Sequence, residues 1–382
     1  MKLTLRQRNG ARERTLQRLL ALDPVIVGLV LGLTVFGLAV LMSATGPVAF
    51  QRYDDSMFFV KRQLLQGVLP GMTLFLFFAF IDYRFWKKLA FPALIASFGL
   101  LLLPYVPGVG VEVGGSHSWA AIGSLRFQPS EIVKFTFLIY LAAWFSSRTA
   151  ERMRDWHELV PFAGALGAVC LLLIAQPDTG TTAVVAGMSL FMYVFSGAPM
   201  MWFVGMAAGG AAIIALLIKI SPYRAARFMT FLHPELDPQG IGYHINQAIL
   251  AVGSGGFLGL GFGKSRQKYL YLPEVEADSI FAVMAEELGF FLTLLVLAAF
   301  VALVWRCFVI ATKSRDRFGS LLAAGFGCWL GVQAWMNIAS MIGLMPITGV
   351  TLPFISHGGT SLTILLAAAG LVAGISRTER NA

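Results

Sequence analysis

The chain has 382 residues, 57% of them hydrophobic and only 13% charged, where an ordinary soluble domain carries about 25% charged residues. A surface so poor in charge could not stay in water, and a mean hydropathy of +0.74 agrees, so the chain is read as a polytopic membrane protein. Cys170, Cys307 and Cys328 all lie in apolar runs, which excludes a disulfide scaffold. The net charge of +9 would suit nucleic-acid binding, but no aromatic-basic interleaving or folded reader accompanies it.

The first element is a basic tail, residues 1–23, with Lys2 and five arginines up to Arg18. The apolar run behind it is longer than the core of a cleaved signal peptide, so tail and run read as a signal anchor that sets orientation and touches anionic headgroups. Ten apolar runs near the roughly 17–25 residues that cross a bilayer as helix then recur to the end of the chain. They fall near 24–43, 64–81, 86–106, 131–147, 160–176, 181–198, 200–220, 279–305, 321–345 and 355–375. Helices 1–7 thus occupy 24–220 and helices 8–10 occupy 279–376, with a short tail at 377–382. The runs are continuous rather than alternating, which predicts an all-α fold instead of a barrel. One long connection, 221–278, separates helices seven and eight. Its mixture of Pro, Gly and apolar residues predicts re-entrant or amphipathic structure on the membrane face.

Basic residues orient the bundle. With the N-terminus in the cytoplasm, 18 of the 29 lysines and arginines fall in inside segments and ten in outside ones, Lys134 being within a span. Six of those ten lie in or beside the long connection, and long loops weigh little in the positive-inside rule. Both termini are therefore placed in the cytoplasm, and the 221–278 loop outside.

Gly253 to Ser265 looks like a phosphate-binding loop, but counting back from Gly263-Lys264-Ser265 puts Leu258 where the first glycine belongs, and no strand precedes it. The expectation is flexible backbone near a membrane surface and no nucleotide. Ionisable residues in or beside spans are the sharper signal, because they are costly in lipid. Glu131 and Lys134 share a helical face and can pair, as a structural anchor or as part of a substrate cavity. Asp178 reads as an N-cap for the sixth span. Asp278 stands at the outer start of the eighth span, and Glu286 is about 12 Å further along a helix, too far to share its proton. On these residues alone a helix cap is the better reading of Asp278. Ser356 and His357 stand beside Gly358-Gly359 without a catalytic triad order or metal-ligand spacing. An outward acid near cationic residues suits transport or transfer from a lipid-linked donor. Transfer needs a general base and positive charge for a departing diphosphate.

Five groups of residues occur in order along the chain. They are Arg126-Phe-Gln-Pro-Ser-Glu131 with Lys134, Gln176-Pro-Asp-Thr-Gly180, Gly242-Tyr-His244 with Gly253-Ser-Gly-Gly256, Tyr271-Leu-Pro-Glu274 with Asp278-Ser-Ile-Phe-Ala282 and Glu286-Glu-Leu-Gly289, and Thr348 to Ser356 with Gly358-Gly359. Together they resemble the SEDS family (shape, elongation, division and sporulation), over nearly the whole chain. The likeness is closer to the division branch, FtsW, than to the elongation branch, RodA.

The resemblance implies a peptidoglycan glycosyltransferase that polymerises lipid II on the outer face of the bacterial cytoplasmic (inner) membrane, at the division site. It implies a class B penicillin-binding protein (a transpeptidase) as partner, with divisome or elongasome proteins around it. It turns Asp278 from a cap into the expected general base or a ligand of a divalent cation, Mg2+ or Mn2+. It puts Gln128, Ser130, Glu131 and Lys134 in the substrate cavity. Lys264, Arg266 and Lys268 of the outer loop, with Ser356 and His357, complete the expected binding set. A RodA-like elongation polymerase is the alternative within the family, and a lipid II transporter and a non-catalytic scaffold are the rival classes.

The chain departs from the family pattern at Glu276-Ala277 before Asp278, at Ser118 before Trp119, and at His357 before Gly358-Gly359. These departures point to a modified lipid-linked substrate or to a pH dependence moved by His357, since imidazole ordinarily titrates near neutrality.

Overall fold

The computed structural model describes residues 22–380 apart from 114–115, 124, 150, 221 and 238–239. The expected basic tail lies almost wholly outside the described residues. Helices occupy all ten places expected from the apolar runs. Asp23 starts α1 (Pro24–Tyr53) by accepting from the amides of Val25 and Ile26, both at 3.1 Å, with Pro24 at the first helical position. α2 (Phe58–Phe80) runs through one π-helical turn at Leu64–Val68. The short α3 (Arg84–Lys88) leads into α4 (Ala90–Leu102). There follow α5 (Pro129–Ser146), α6 (Trp156–Ala175), α7 (Thr179–Phe195) and α8 (Met200–Ile220). The long connection holds α9 (Pro222–Leu232) and α10 (Ile241–Ser254), and α11 (Ile280–Lys313), α12 (Arg317–Met341) and α13 (Gly359–Arg380) complete the bundle.

Seven of these, α1, α2, α6, α8, α11, α12 and α13, are long and apolar enough to cross a membrane by length and composition. α4 and α7 are shorter apolar helices, and α5 carries the buried Glu131 and Lys134. The bundle is therefore that of a multi-pass α-helical membrane protein. One element goes beyond the all-α expectation. Residues 110–127 form a three-stranded antiparallel sheet, β1 (Gly110–Val113), β2 (Ser116–Ile122) and β3 (Leu125–Phe127). Gly110 pairs with Ala120, and Ala121 with Arg126.

Most of α12 and α13 is buried, whereas α8 stands at the periphery. α13 lies directly against α2, and a Cβ at Gly370 would come within 2.3 Å of the Phe75 carbonyl. On the face assigned to the cytoplasm, Arg306 at the end of α11 clasps Asp23 with two nitrogens, and the Asp23 amide donates to Ser376.

α11 is broken near its outer end. Gly289 has φ 71° and ψ −178°, which ends one helical piece and starts another. The backbone groups freed by the break are taken up by residues 256–261 of the long connection. Leu260 and Gly261 donate to the carbonyls of Glu286 and Glu287, while Phe290 and Phe291 donate to those of Gly256 and Phe257. Irregular backbone at this depth survives only because protein satisfies it. In the run that resembles a phosphate-binding loop, Gly255 and Gly259 are needed for backbone approach, since a Cβ there would sit 2.3 Å from the Ala285 carbonyl oxygen and 2.2 Å from that of Glu287. A Cβ at Gly289 would sit 2.1 Å from the Gly259 nitrogen.

Candidate active site on the outer face

The outer ends of the helices surround a cavity of about 1130 Å³, larger than the roughly 300–1,000 Å³ that encloses a drug-sized ligand. α2 contributes Arg62, Gln66 and Leu74, and the sheet contributes Ser118, Trp119 and Arg126. The start of α5 adds Gln128 and Ile132, the α6–α7 turn adds Asp178, and α9 adds Arg227. Glu274, Glu276 and Ala277 close one side, and Thr348, Thr351, His357 and Thr360 another. These segments all belong to the helix ends that the basic residues place outside, so one sidedness accounts for the whole wall.

Asp278 follows Ala277 at the edge of this wall and is only 6% exposed. Its Oδ1 has no hydrogen-bond partner among the described residues. Burial, and next the like charge of Glu274, pushes the carboxyl from its ordinary 3.8 up to about 7, with Arg227 pulling the other way. Glu274 is raised as well, by burial and by Glu276. The turn is pinned on both sides of the acid. Asn337 Nδ2 donates to the Asp278 carbonyl at 2.8 Å, and the Ser279 hydroxyl shares a 2.6 Å hydrogen bond with His244 Nε2 of α10. Asp278 does not cap α11, whose first residues receive no side-chain capping bond. A carboxyl half-ionised near neutral pH, with an unengaged oxygen beside a cavity, has the properties of a general base.

Glu131 and Lys134 form the expected ion pair at 2.7 Å, both buried. They stand behind the wall, and neither is among the residues that line it. Gln128 lines the cavity and donates to Asp178 Oδ2 at 3.2 Å, and the buried Ser130 donates to the same oxygen at 2.9 Å. Asp178 Oδ1 accepts from the Thr181 amide at 3.0 Å, which is the N-cap expected of it. These bonds tie the start of α5 to the start of α7.

The loop cations are placed differently from the expectation. Lys264 and Arg266 are exposed and line no part of the cavity. Lys268 is buried, 3.0 Å from Glu287 and 2.7 Å from the Gly263 carbonyl. Docking of residues 255–268 onto the broken α11 carries Lys268 into that pair. Arg62, Arg126 and Arg227 face the cavity instead. The signal that could have found two of them was their position, since Arg126 opens the Gln-Pro-Ser-Glu group and Arg62 lies at the outer end of a span.

Ser356 closes a turn, its Oγ accepting from the Leu352 amide at 2.8 Å and its carbonyl from Gln63 at 3.2 Å. His357 lines the cavity with its ring edge-on to Phe59, centroids 5.2 Å apart. Burial, with the charge of Arg62, pushes its imidazole down to about 4. It is therefore neutral at physiological pH, which corrects the near-neutral titration expected for it. Ser118 is buried in the wall beside Trp119. Among the described residues no three His, Cys, Asp or Glu converge on a point that could hold a metal ion.

A bundle of membrane helices that opens at one face into an arginine-lined cavity, with a raised buried carboxyl at its edge, defines a membrane enzyme acting on an anionic, membrane-borne substrate. The comparisons with known proteins agree. The family model described as "Cell cycle protein", which covers FtsW, RodA and SpoVE, matches residues 24–381. The chain belongs to this family. Stage V sporulation protein E of Bacillus subtilis is 38% identical, with 94% of this chain and 98% of that protein covered. The probable peptidoglycan glycosyltransferase FtsW of Geobacter sp. (strain M18) is 34% identical, with 96% and 100% covered. Among solved structures, one described as structural coordination of polymerization and crosslinking by a peptidoglycan synthase complex superposes with a TM-score of 0.77 at 30% identity, covering 94% and 99%. The rod shape determining protein RodA of Thermus thermophilus gives 0.68 at 30% identity, covering 94% and 98%.

Proposed function

We propose that the chain is a peptidoglycan glycosyltransferase that polymerises lipid II on the outer face of the bacterial cytoplasmic membrane. The observation that carries this reading is Asp278, buried, with an unpartnered oxygen and a carboxyl raised to about 7, at the edge of a large arginine-lined cavity. Asp278 accepts the proton of the acceptor sugar's 4-hydroxyl as that oxygen attacks the donor's anomeric carbon. The bond from that carbon to the diphosphate breaks, and undecaprenyl diphosphate departs with both electrons. Arg62, Arg126 and Arg227 supply the positive charge that the departing diphosphate needs. The lipid diphosphate carries its own activation, so no nucleotide takes part.

The relatives named FtsW support a role in cell division, with the division site as the proposed location. The synthase complex among the structural relatives supports a class B penicillin-binding protein as the crosslinking partner. The transporter alternative draws support from discontinuous helices. Here the break in α11 is filled by the protein's own loop, which leaves no substrate site in it.

The test is polymerisation of labelled lipid II by purified protein with its partner. Asp278→Ala is expected to make no glycan strands while remaining folded. Strand synthesis at the wild-type rate by that variant would overturn the assignment.

A further inference from the structure

α12 carries a row of polar residues through the most buried part of the bundle. Trp329, Gln333 and Asn337 are spaced four apart, so they share one face of the helix. All three are fully buried. Buried amides inside a membrane helix are costly unless they find hydrogen-bond partners. Gln333 Oε1 accepts from Lys134 Nζ at 2.9 Å and from Trp329 Nε1 at 2.7 Å. Its Nε2 donates to the Thr351 carbonyl at 3.0 Å. One turn further out, Asn337 Nδ2 donates at 2.8 Å both to the Asp278 carbonyl and to the Val350 carbonyl, while its buried Oδ1 has no partner among the described residues. Thr351 lines the cavity and Asp278 stands at its edge. None of the three α12 side chains lines the cavity.

This row explains what the Glu131–Lys134 pair does from behind the wall. Lys134 is held by Glu131 on one side and by Gln333 on the other. Gln333 fixes residue 351, and Asn337 joins residue 350 to residue 278. An unbroken chain of hydrogen bonds and adjacent residues thus runs from α5 through α12 to the turn that bears the acid.

We infer that Gln333 and Asn337 are positioning residues for the transfer reaction, with Asn337 fixing the Asp278 turn against the opposite cavity wall and Gln333 tying that wall to the Glu131–Lys134 pair. The inference rests on the assignment of Asp278 as the base. A group that sets geometry rather than binding acts on the chemical step, and a misplacement of about 1 Å costs on the order of 100-fold in rate.

The experiment is steady-state polymerisation of labelled lipid II by the full-length chain in nanodiscs with its partner, with rates expressed per monodisperse molecule. Asn337→Leu removes the amide, and Asn337→Asp keeps its size while losing the Nδ2 donor. Both are expected to lower kcat by about ten-fold or more with KM within about two-fold of wild type. Gln333→Glu, which keeps the acceptor for Lys134 and Trp329 but loses the donor to residue 351, is expected to retain more activity than Gln333→Met.

Wild-type kcat in monodisperse Asn337→Asp, or a loss confined to KM, would overturn the inference. If Asp278→Ala itself polymerises at the wild-type rate, the assignment of the base falls. If Asp278→Ala is inactive and the Asn337 variants are fully active, only the positioning role falls.

Discussion

Asp278 sets activity and stability against each other along the pH scale. Its carboxyl rises from 3.8 to about 7 on folding, mainly through burial. Between those values the folded chain holds a proton that the unfolded chain has lost, so stability falls as pH rises and the full penalty is present above about 7. The base works only when ionised, so the polymerisation rate is expected to climb through about pH 7 and level off above it. Asp278→Asn removes the penalty and the base together. It is expected to be inactive yet to have a higher thermal midpoint than wild type at pH 8, with the two converging near pH 4. A lower midpoint at pH 8 would contradict the burial argument. His357 makes the complementary case, because an imidazole already neutral at physiological pH contributes no titration to the profile. His357→Tyr keeps an aromatic ring against Phe59, and is expected to leave the pH-rate profile in place and the rate within about two-fold. A profile displaced by half a pH unit or more would show that His357 titrates in the working range. The acid was legible in the sequence only through its neighbours, since spacing alone favoured a cap. Arg62, Arg126 and Arg227 were counted for topology, because a linear pattern does not say which of ten outer cations turn toward one point.

At the scale of elements, ten helices were legible because hydrocarbon demands long apolar runs with internally satisfied backbone. The break in α11 was not, since Leu288 to Phe291 reads as uninterrupted apolar sequence. What reveals it is tertiary: a second segment, 256–261, brings the amides and carbonyls that replace the helical ones. The small sheet was hidden for a related reason, as strands of three to seven residues leave little periodicity to read. The two glycines of the docked loop and the break predict a contrast. At Gly289 a side chain meets both a left-handed φ of 71° and the Gly259 nitrogen at 2.1 Å. At Gly263 φ is 80°, but a Cβ would enter open space. Gly263→Ala should therefore cost only the backbone strain, about 1 kcal/mol. Gly289→Ala adds a clash that backbone must relieve, about 3 kcal/mol or more, and should undock the loop. Thermal midpoints of the two purified variants, with limited proteolysis across 255–268, measure the difference. Equal midpoints, with the loop equally protected, would show that the docking seen at Gly289 contributes little.

At the scale of the whole molecule, the basic residues give one orientation, and cavity and helix length fit it. The cavity wall is assembled from segments that alternate along the chain with the basic-rich connections, so placing those connections in the cytoplasm turns every wall segment outward. The length of α11 agrees. From Phe290 to Lys313 it rises about 36 Å, enough to cross a hydrocarbon core of about 30 Å. The piece before Gly289 is then left at the outer boundary, where Glu286 and Glu287 bind the amides and side chains of 265–268. At the other end Arg306 reaches Asp23, joining the inner ends of α11 and α1. This orientation is checked with single cysteines in a chain whose Cys170, Cys307 and Cys328 have been replaced by alanine. Tyr271, 57% exposed in the outer connection, and the exposed Lys313 at the far end of α11 are the reporters. A membrane-impermeant maleimide applied to intact spheroplasts is expected to label Tyr271→Cys and to spare Lys313→Cys until the membrane is opened. Labelling of Lys313→Cys on intact cells would invert the bundle. The cavity would then face the cytoplasm, away from the lipid-linked sugars it is proposed to join.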